Sequence, residues 1–243
     1  MNPKDIYIVQ CERLSKLDWL VHGSTTRQFN PIPGNKEEEL VKLANFWNIE
    51  PYALLYAHQR HTNHAIFLDE KQFENMNRSL APYDKTDGVG TEVKGILAAI
   101  FTADCIPIFM VDVKKRRFML VHAGWRGTLQ RFAANAVDNL IQRGSDPKDM
   151  IVWMGPAICG RCYEVSEDMA GQFAAQFPAA PHAIKGRFLD LKEINAFQIR
   201  EKGVPDGSIE ISEYCTRRQS ELFYSYRALG ALRGSIVNAA MIL

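Results

Sequence analysis

Residues 121–128 read VHAGWRGT, too rich in small and polar residues for an ordinary strand or helix interior. The stretch follows the β-like run RFMLV and precedes an amphipathic segment, so a strand hands over to a helix here. Residues that do chemistry often sit at such junctions. His122 is the titratable side chain of the segment, and its chemistry depends on its partners.

Metal binding is one such chemistry. Catalytic zinc takes three protein ligands, usually His or Cys, and keeps one position open. Six histidines occur, at 22, 58, 61, 64, 122 and 182. Cys105 and His122 each close a predicted strand, and adjacent strands would bring them together. A third ligand could come from HQRHTNH, which carries His58, His61 and His64. In a helix, neighbouring members of that series share a face; in a strand they alternate. Spacing leaves the choice among them open. Cys105 in an apolar run also reads as a small buried hydrophobe, and His122 as a hydrogen-bonded turn residue. Without a metal, Cys105 and His122 would make a nucleophile and base.

Other residues bear on the same question. CGRC, Cys159 to Cys162, has thioredoxin-like spacing. A redox CxxC opens a helix after a strand, whereas this one follows Gly155-Pro156 in a loop, so coincidence is a simpler reading than either redox chemistry or structural zinc. Arg27 in HGSTTR, Arg126 in GWRG and Arg227 in FYSYR lie beside glycines or hydroxyls. Taken singly they read as surface or ion-pair residues; together they suit an anion, because guanidinium pairs bidentately with phosphate or carboxylate. The glycines of HAGWRG let backbone N–H groups approach a ligand.

These residues need elements to hold them. Apolar spacing predicts a helix near 36–48 after the PIPGN turn, and strands over 95–102, 106–112 and 117–122. Leu129, Phe132, Ala133, Ala136, Val137, Leu140 and Ile141 mark one face of a helix. MIVWMG (150–155) reads as a buried strand. Helices follow near 167–177 and 190–202, the second stopped by Gly203 and Pro205. SIEISEYC reads as a strand and GSIVNAAMIL as a strand or a buried helix end. The KKRR run, Lys114 to Arg117, falls between two strands as a solvated hairpin turn. No βαβ rhythm, GxGxxG or Walker motif is present, against a doubly wound nucleotide fold.

Composition narrows the class. The 243 residues are 47% hydrophobic and 23% charged with a net charge of +1, as for a globular chain with a real core. That balance gives no electrostatic case for nucleic acid or a membrane surface. The longest apolar stretch, GILAAIFTADCIPIFMV, is broken by Asp104 and Pro107 and reads as two strands joined at TADC rather than a membrane span. MNPKDIYIVQCERLSK has no continuous apolar stretch of the secretory kind. Five cysteines with no disulfide-framework spacing point to a reducing cytoplasm. No linker cuts the chain, so one domain over 1–243 is expected.

TADCIP, VHAGWRGT, GPAICGRCYEV, and CT followed by FYSYR resemble, in order, the landmarks of the laccase-domain family, from about residue 20 to the C-terminus. Its bacterial members carry the names polyphenol oxidase, purine nucleoside phosphorylase and peptidoglycan editing factor. The resemblance implies an α/β fold of α+β type, with mixed β-sheets sandwiched between outer helices. It implies zinc held by His61 (of Gln59-Arg60-His61), Cys105 and His122, leaving His58 and His64 as bystanders. The implied activity is zinc-dependent phosphorolysis of adenosine, inosine, guanosine or methylthioadenosine, with adenosine deamination. Three departures stand out: Thr62 where the family has Gly, QFN after Arg27 instead of Gly-Gly, and Arg233-Gly234 in place of Gly-Arg.

The laccase name itself is not supported. A blue-copper centre already takes two His and a Cys, and oxygen-reducing copper clusters need many more imidazoles than six His supply. A zinc enzyme on a purine nucleoside and phosphate is the expectation. Gln59, Arg27, Arg126 and Arg227 are then candidates for substrate or phosphate. Asp87 (in TDGVG) and Asp104 would handle protons or fix a His tautomer, and Asp104 reads equally as a structural turn residue. Trp125 would stack on substrate or simply pack. The competing reading, from the same family, is a hydrolase removing wrong amino acids from a cell-wall precursor, with Cys105 as nucleophile and His122 as base. Zinc-bound thiolate cannot serve as that nucleophile, so metal content separates the two. A non-catalytic binding module fits an open ligand set less well.

Overall fold

The computed structural model describes residues 6–29, 35–75, 83–230 and 234–243. The chain begins with β1 (Ile8–Val9), β2 (Leu20–Thr25), α1 (Lys36–Trp47), β3 (Ala53–His58), β4 (Ala65–Leu68) and α2 (Glu70–Asn75). Next come β5 (Tyr83–Asp84), β6 (Gly88–Thr91), β7 (Ile96–Thr102), β8 (Ile106–Asp112) and β9 (Arg117–Ala123). Then follow α3 (Trp125–Leu129), α4 (Phe132–Gln142), β10 (Met150–Met154), α5 (Glu167–Gln176), β11 (Ile184–Lys185) and β12 (Phe188–Leu189). The last elements are α6 (Leu191–Glu201), β13 (Ile209–Ile211), α7 (Tyr226–Leu229) and β14 (Ile236–Ile242).

The strands form two six-stranded mixed sheets, ordered β1-β2-β14-β7-β3-β5 and β13-β10-β8-β9-β6-β4, plus the β11–β12 pair. Each central strand alternates between two apolar environments. In β7, Ile96, Ala98 and Ile100 meet Phe109, Phe118, Leu120 and Trp153 of the other sheet. Leu97, Ala99 and Phe101 of the same strand face Leu40, Leu43 and Ala44 of α1. In β8, Phe109 and Val111 point between the sheets, while Ile108 and Met110 join Phe132, Val137 and Leu140 of α4 and residues of α5 and α6. Because both faces are covered, these strands read as continuous apolar runs instead of alternating ones. The result is a layer order of helix, sheet, sheet, helix.

Most expected elements lie where periodicity puts them, and the C-terminal stretch is a strand, β14. The PIPG residues and Arg233 lie outside the described residues. KKRR forms the β8–β9 turn, with the N–H groups of Lys114 and Lys115 donating to Asp112 Oδ1. The helix predicted after HAGWRG is broken in two: Arg131 adopts φ 58°, separating α3 from α4. The break leaves Thr128 buried against α6, where Asn195 Nδ2 donates to its hydroxyl at 2.9 Å and Gln198 Nε2 to its carbonyl at 2.9 Å. SIEISEYC contributes only the three-residue β13.

Strands β2, β3, β4 and β6 have no counterpart in the sequence reading. β6 is GVGT, and glycine is a poor strand former. Its glycines answer to space: a Cβ on Gly90 would stand 2.7 Å from the Phe118 carbonyl oxygen, and one on Gly88 2.7 Å from Ala65 Cβ. Among the described residues, no helix is long and apolar enough to cross a membrane.

Candidate metal centre

Three side chains from distant parts of the chain converge at one end of the sandwich. β8 and β9 pair as an antiparallel hairpin with Pro107 opposite His122, which puts Cys105 across from the end of β9. His61 arrives from the loop after β3, in a left-handed conformation at φ 59°. One ligand atom from each of His61, Cys105 and His122 lies within 4.8 Å of the others. The two imidazole rings are 5.0 Å apart, edge to face.

Asp87, fully buried just before β6, organises this convergence. Its Oδ1 accepts from His122 Nδ1 at 2.8 Å and from the His61 N–H at 2.9 Å. Oδ2 accepts from the N–H groups of Arg60 and Thr62 at 3.1 and 2.7 Å, and from the Thr62 hydroxyl at 2.7 Å. One carboxylate therefore clamps the whole 60–62 loop and orients His122. The threonine that departs from the family pattern adds its hydroxyl to the clamp. Burial alone would raise the Asp87 carboxyl, but the His122 and Thr62 hydrogen bonds outweigh it and hold it far below the usual range.

With the Nδ1–H of His122 donated to the ionised Asp87, Nε2 is the ring nitrogen left for Cys105. Burial would raise the Cys105 thiol, yet the His122 cation and hydrogen bonds from His122 and His61 bring it down to about 6. His122 shows the mirror image: burial works against its charge, while the Cys105 thiolate and Asp87 raise it to about 9. Gly124 completes the pocket wall. Its φ of −79° suits any residue, but a Cβ there would sit 3.0 Å from Cys105 Sγ and 3.1 Å from His61 Cδ2. A side chain there would need Cys105 or His61 to give way by a few tenths of an ångström.

Asp104 occupies φ 91°, which disfavours ordinary side chains. Its Oδ1 accepts from the Thr216 hydroxyl at 2.6 Å and Oδ2 from the Arg227 N–H at 2.7 Å. The turn residue ties ADC to both CT and SYR, which is why motifs far apart in sequence meet here. Arg227 Nη1 donates to the Glu164 carbonyl, and its guanidinium lies over the Tyr163 ring. Arg126 lies over Trp125, 4.5 Å from the ring centre. Both arginines, with Cys105 and Asp104, act electrostatically on the Tyr163 hydroxyl, which burial first and Cys105 second push up to about 12.

Tyr163 was missed by the sequence reading; only its place next to CGRC could have flagged it. Gln59 does not offer its amide outward: Oε1 accepts from the Phe101 N–H and Nε2 donates to the Phe101 carbonyl, both at 2.8 Å. Arg27 sits with Tyr224 and donates to the Ser220 carbonyl. His58 ends β3 exposed, and His64 bonds Thr86. Cys159 and Cys162 lie in a loop, as expected, and Cys215 comes close to both, so the three form a second cluster of ligand-capable side chains. A cavity of about 570 Å³ beside Gly160, His182 and Phe188 contains none of the three converging ligands.

The fold and this site define an α/β sandwich with a His₂Cys metal-capable centre at the end of its paired sheets. Residues 33–243 match the family described as "Multi-copper polyphenol oxidoreductase laccase", and the chain belongs to that family. It is 31% identical over 205 residues to purine nucleoside phosphorylase YlmD of Bacillus subtilis, covering 79% of this chain and 73% of that one. Adenosine deaminase RL5, from an unknown prokaryotic organism, is 30% identical over 188 residues, 74% of this chain and 72% of that one. The crystal structure of the Bacillus licheniformis hypothetical protein YfiH superposes with a TM-score of 0.86 at 25% identity, covering 100% of both chains.

Proposed function

We propose that this chain is a single-domain, cytoplasmic, zinc-dependent purine nucleoside phosphorylase acting on adenosine, inosine, guanosine or methylthioadenosine, with adenosine deaminase activity. The observation that carries the reading is the convergence of His61, Cys105 and His122 with Asp87 on Nδ1 of His122. Two relatives named for phosphorolysis and deamination of purine nucleosides support the substrate class. The donor set suits zinc: two imidazoles, one thiol already lowered to about 6, and a carboxylate fixing the tautomer of a ligand. His₂Cys is also the core of a blue-copper site. Oxygen-reducing copper needs further imidazoles, and the other ligand-capable cluster among the described residues is made of cysteines. The family's laccase description is therefore not carried over to this chain.

Zinc in such a set supplies Lewis acidity and lowers the pKa of a neighbouring water. The chain's own groups do the rest. Asp87 keeps the proton on Nδ1, so His122 presents Nε2 inward. Tyr163 stays protonated at neutral pH and is a hydrogen-bond donor, not a base. Arg126 and Arg227, beside Tyr163, supply the positive charge that phosphate requires. In phosphorolysis a phosphate oxygen bonds C1′ of the ribose as the bond to N9 breaks, and the purine leaves with a proton. In deamination water adds at C6 and ammonia departs.

One observation favours the other family activity. A thiol lowered to about 6 beside an imidazole raised to about 9 is the charge state of a Cys–His nucleophile pair. In that reading Cys105 attacks the carbonyl of a wrongly loaded amino acid on a cell-wall precursor. The deciding experiment incubates zinc-loaded protein with adenosine, with and without phosphate, and resolves the products chromatographically beside Cys105→Ala and His122→Ala. Phosphate-dependent adenine, or inosine, lost in both variants supports the nucleoside reading. No turnover of adenosine under either condition overturns it in favour of the hydrolase.

A further inference from the structure

A second group of soft ligands lies away from the first. The CGRC loop follows β10, and Cys215 reaches it through a parallel bridge between its backbone and that of Ala157. The sulfurs of Cys159, Cys162 and Cys215 all lie within 4.8 Å of one another. For tetrahedral zinc with bonds of about 2.3 Å to sulfur, ligand sulfurs stand roughly 3.8 Å apart, well inside that limit.

The backbone favours negative sulfur at Cys215, whereas burial and the neighbouring thiols push Cys162 up to about 12, a crowding of sulfurs that a bound cation would relieve. The Cys159 N–H donates to Cys215 Sγ at 3.4 Å, and the N–H of Arg218 is also directed at that sulfur. Lys192, at 5% exposure, holds its ammonium between the carbonyls of Ser212 and Tyr214 at 2.6 and 3.0 Å, and the negative groups acting on it are Asp190 first, then Cys215 and Cys159. A buried ammonium is costly without compensating negative charge. Gly160 lets the loop close on this spot, since a Cβ there would meet the Asp190 side chain at 2.6 Å, and Asp190 caps the helix that carries Lys192.

We propose that Cys159, Cys162 and Cys215 form a second, thiolate zinc site, with Lys192 offsetting part of its charge. Three thiolates and one divalent cation leave one negative charge, and the Lys192 ammonium, shared with Asp190, offsets part of it. Binding breaks three S–H bonds, releases three protons to solvent and forms three Zn–S bonds without oxidation or reduction. Cys159 and Cys162 are partly exposed, so a metal ion could enter from solvent, where water would serve as the fourth ligand. Zinc here clamps the CGRC loop to the Cys215 loop. The next residue, Thr216, holds Asp104 beside Cys105, so the second site braces the wall of the first.

Metal content tests this without reference to activity. Protein purified under reductant, loaded with zinc and desalted is expected to carry about two equivalents per chain, one for each cluster. Cys159→Ser, Cys162→Ser and Cys105→Ala should each carry about one, and the Cys105→Ala, Cys162→Ser double variant close to none. Cobalt loading gives an independent reading, because charge-transfer absorption grows with the number of thiolates. Cys105→Ala should retain most of that absorption, and Cys162→Ser should lose most of it. One equivalent in the wild type with none in Cys105→Ala would overturn the proposal. So would a Cys159–Cys162 disulfide persisting in reduced, zinc-loaded protein. Circular dichroism of the two partly exposed cysteine variants separates metal loss from misfolding.

Discussion

Asp87 and His122 are joined twice: the carboxylate accepts from Nδ1 at 2.8 Å, and the Asp87 carbonyl accepts from the His122 backbone N–H at the same distance. The imidazole is thus fixed in both rotation and tautomer by a residue that also clamps the loop carrying His61. Asp87→Ala should lower zinc affinity about 10–100-fold, the usual effect of losing a partner that orients a metal ligand. Competition with a zinc chelator measures it; unchanged affinity would mean the clamp is dispensable.

Gly124→Ala isolates crowding from backbone strain, because φ there is ordinary and only the Cβ is new. The methyl must displace Cys105 or His61 by a few tenths of an ångström. We expect at least a tenfold loss of turnover or metal affinity, since small misplacements at such sites are costly. The melting temperature should move by no more than a few degrees. Wild-type turnover and affinity would show that the site yields easily.

Asp104 combines a left-handed backbone with two hydrogen bonds across the fold. Asp104→Ala should destabilise by about 2–4 kcal/mol, from strain at positive φ and the loss of the Thr216 and Arg227 bonds. Asp104→Asn, which tolerates this conformation and retains an acceptor, should recover at least half of that loss in urea unfolding. Equal losses in both would place the effect on charge alone.

His22 carries a pH dependence unconnected with catalysis. It packs edge-on to Phe109 and Trp153, and its Nε2 accepts from the Cys11 N–H while Nδ1 finds no partner among the described residues. Burial pushes it down to about 4 from 6.5. The unfolded chain therefore binds the proton first as pH falls. His22's contribution is intact above pH 6.5, is lost progressively towards pH 4, and amounts to about 3 kcal/mol in all. Urea unfolding at pH 7.5, 5.5 and 4.5 should show this slope, and His22→Gln should flatten it. An equal slope in the variant would assign the effect to other groups.

Much was legible in local sequence. Periodicity marks β7, β8, β9, β10 and helices α1, α4, α5 and α6 because burial on one or both faces imprints itself on neighbouring residues. VHAGWRGT announces a strand-to-helix turn, and the β8–β9 hairpin that brings Cys105 to His122 follows from two adjacent strands with a charged turn. The rest lies beyond local spacing: the family resemblance names His61, and the fold brings it beside Cys105 and His122. Metal ligands and carboxylate clamps act across space, so no spacing rule chooses His61 over His58 and His64, or shows that Asp87 serves both His61 and His122. Gln59, a candidate for substrate or phosphate, has its amide bonded to the backbone of Phe101, a contact no motif announces. Cys215 joins CGRC only because β10 and the segment after β13 run side by side. The glycine strand β6 is invisible to propensity for the same reason: its residues answer to atoms from other strands, and those neighbours exist only in the folded chain.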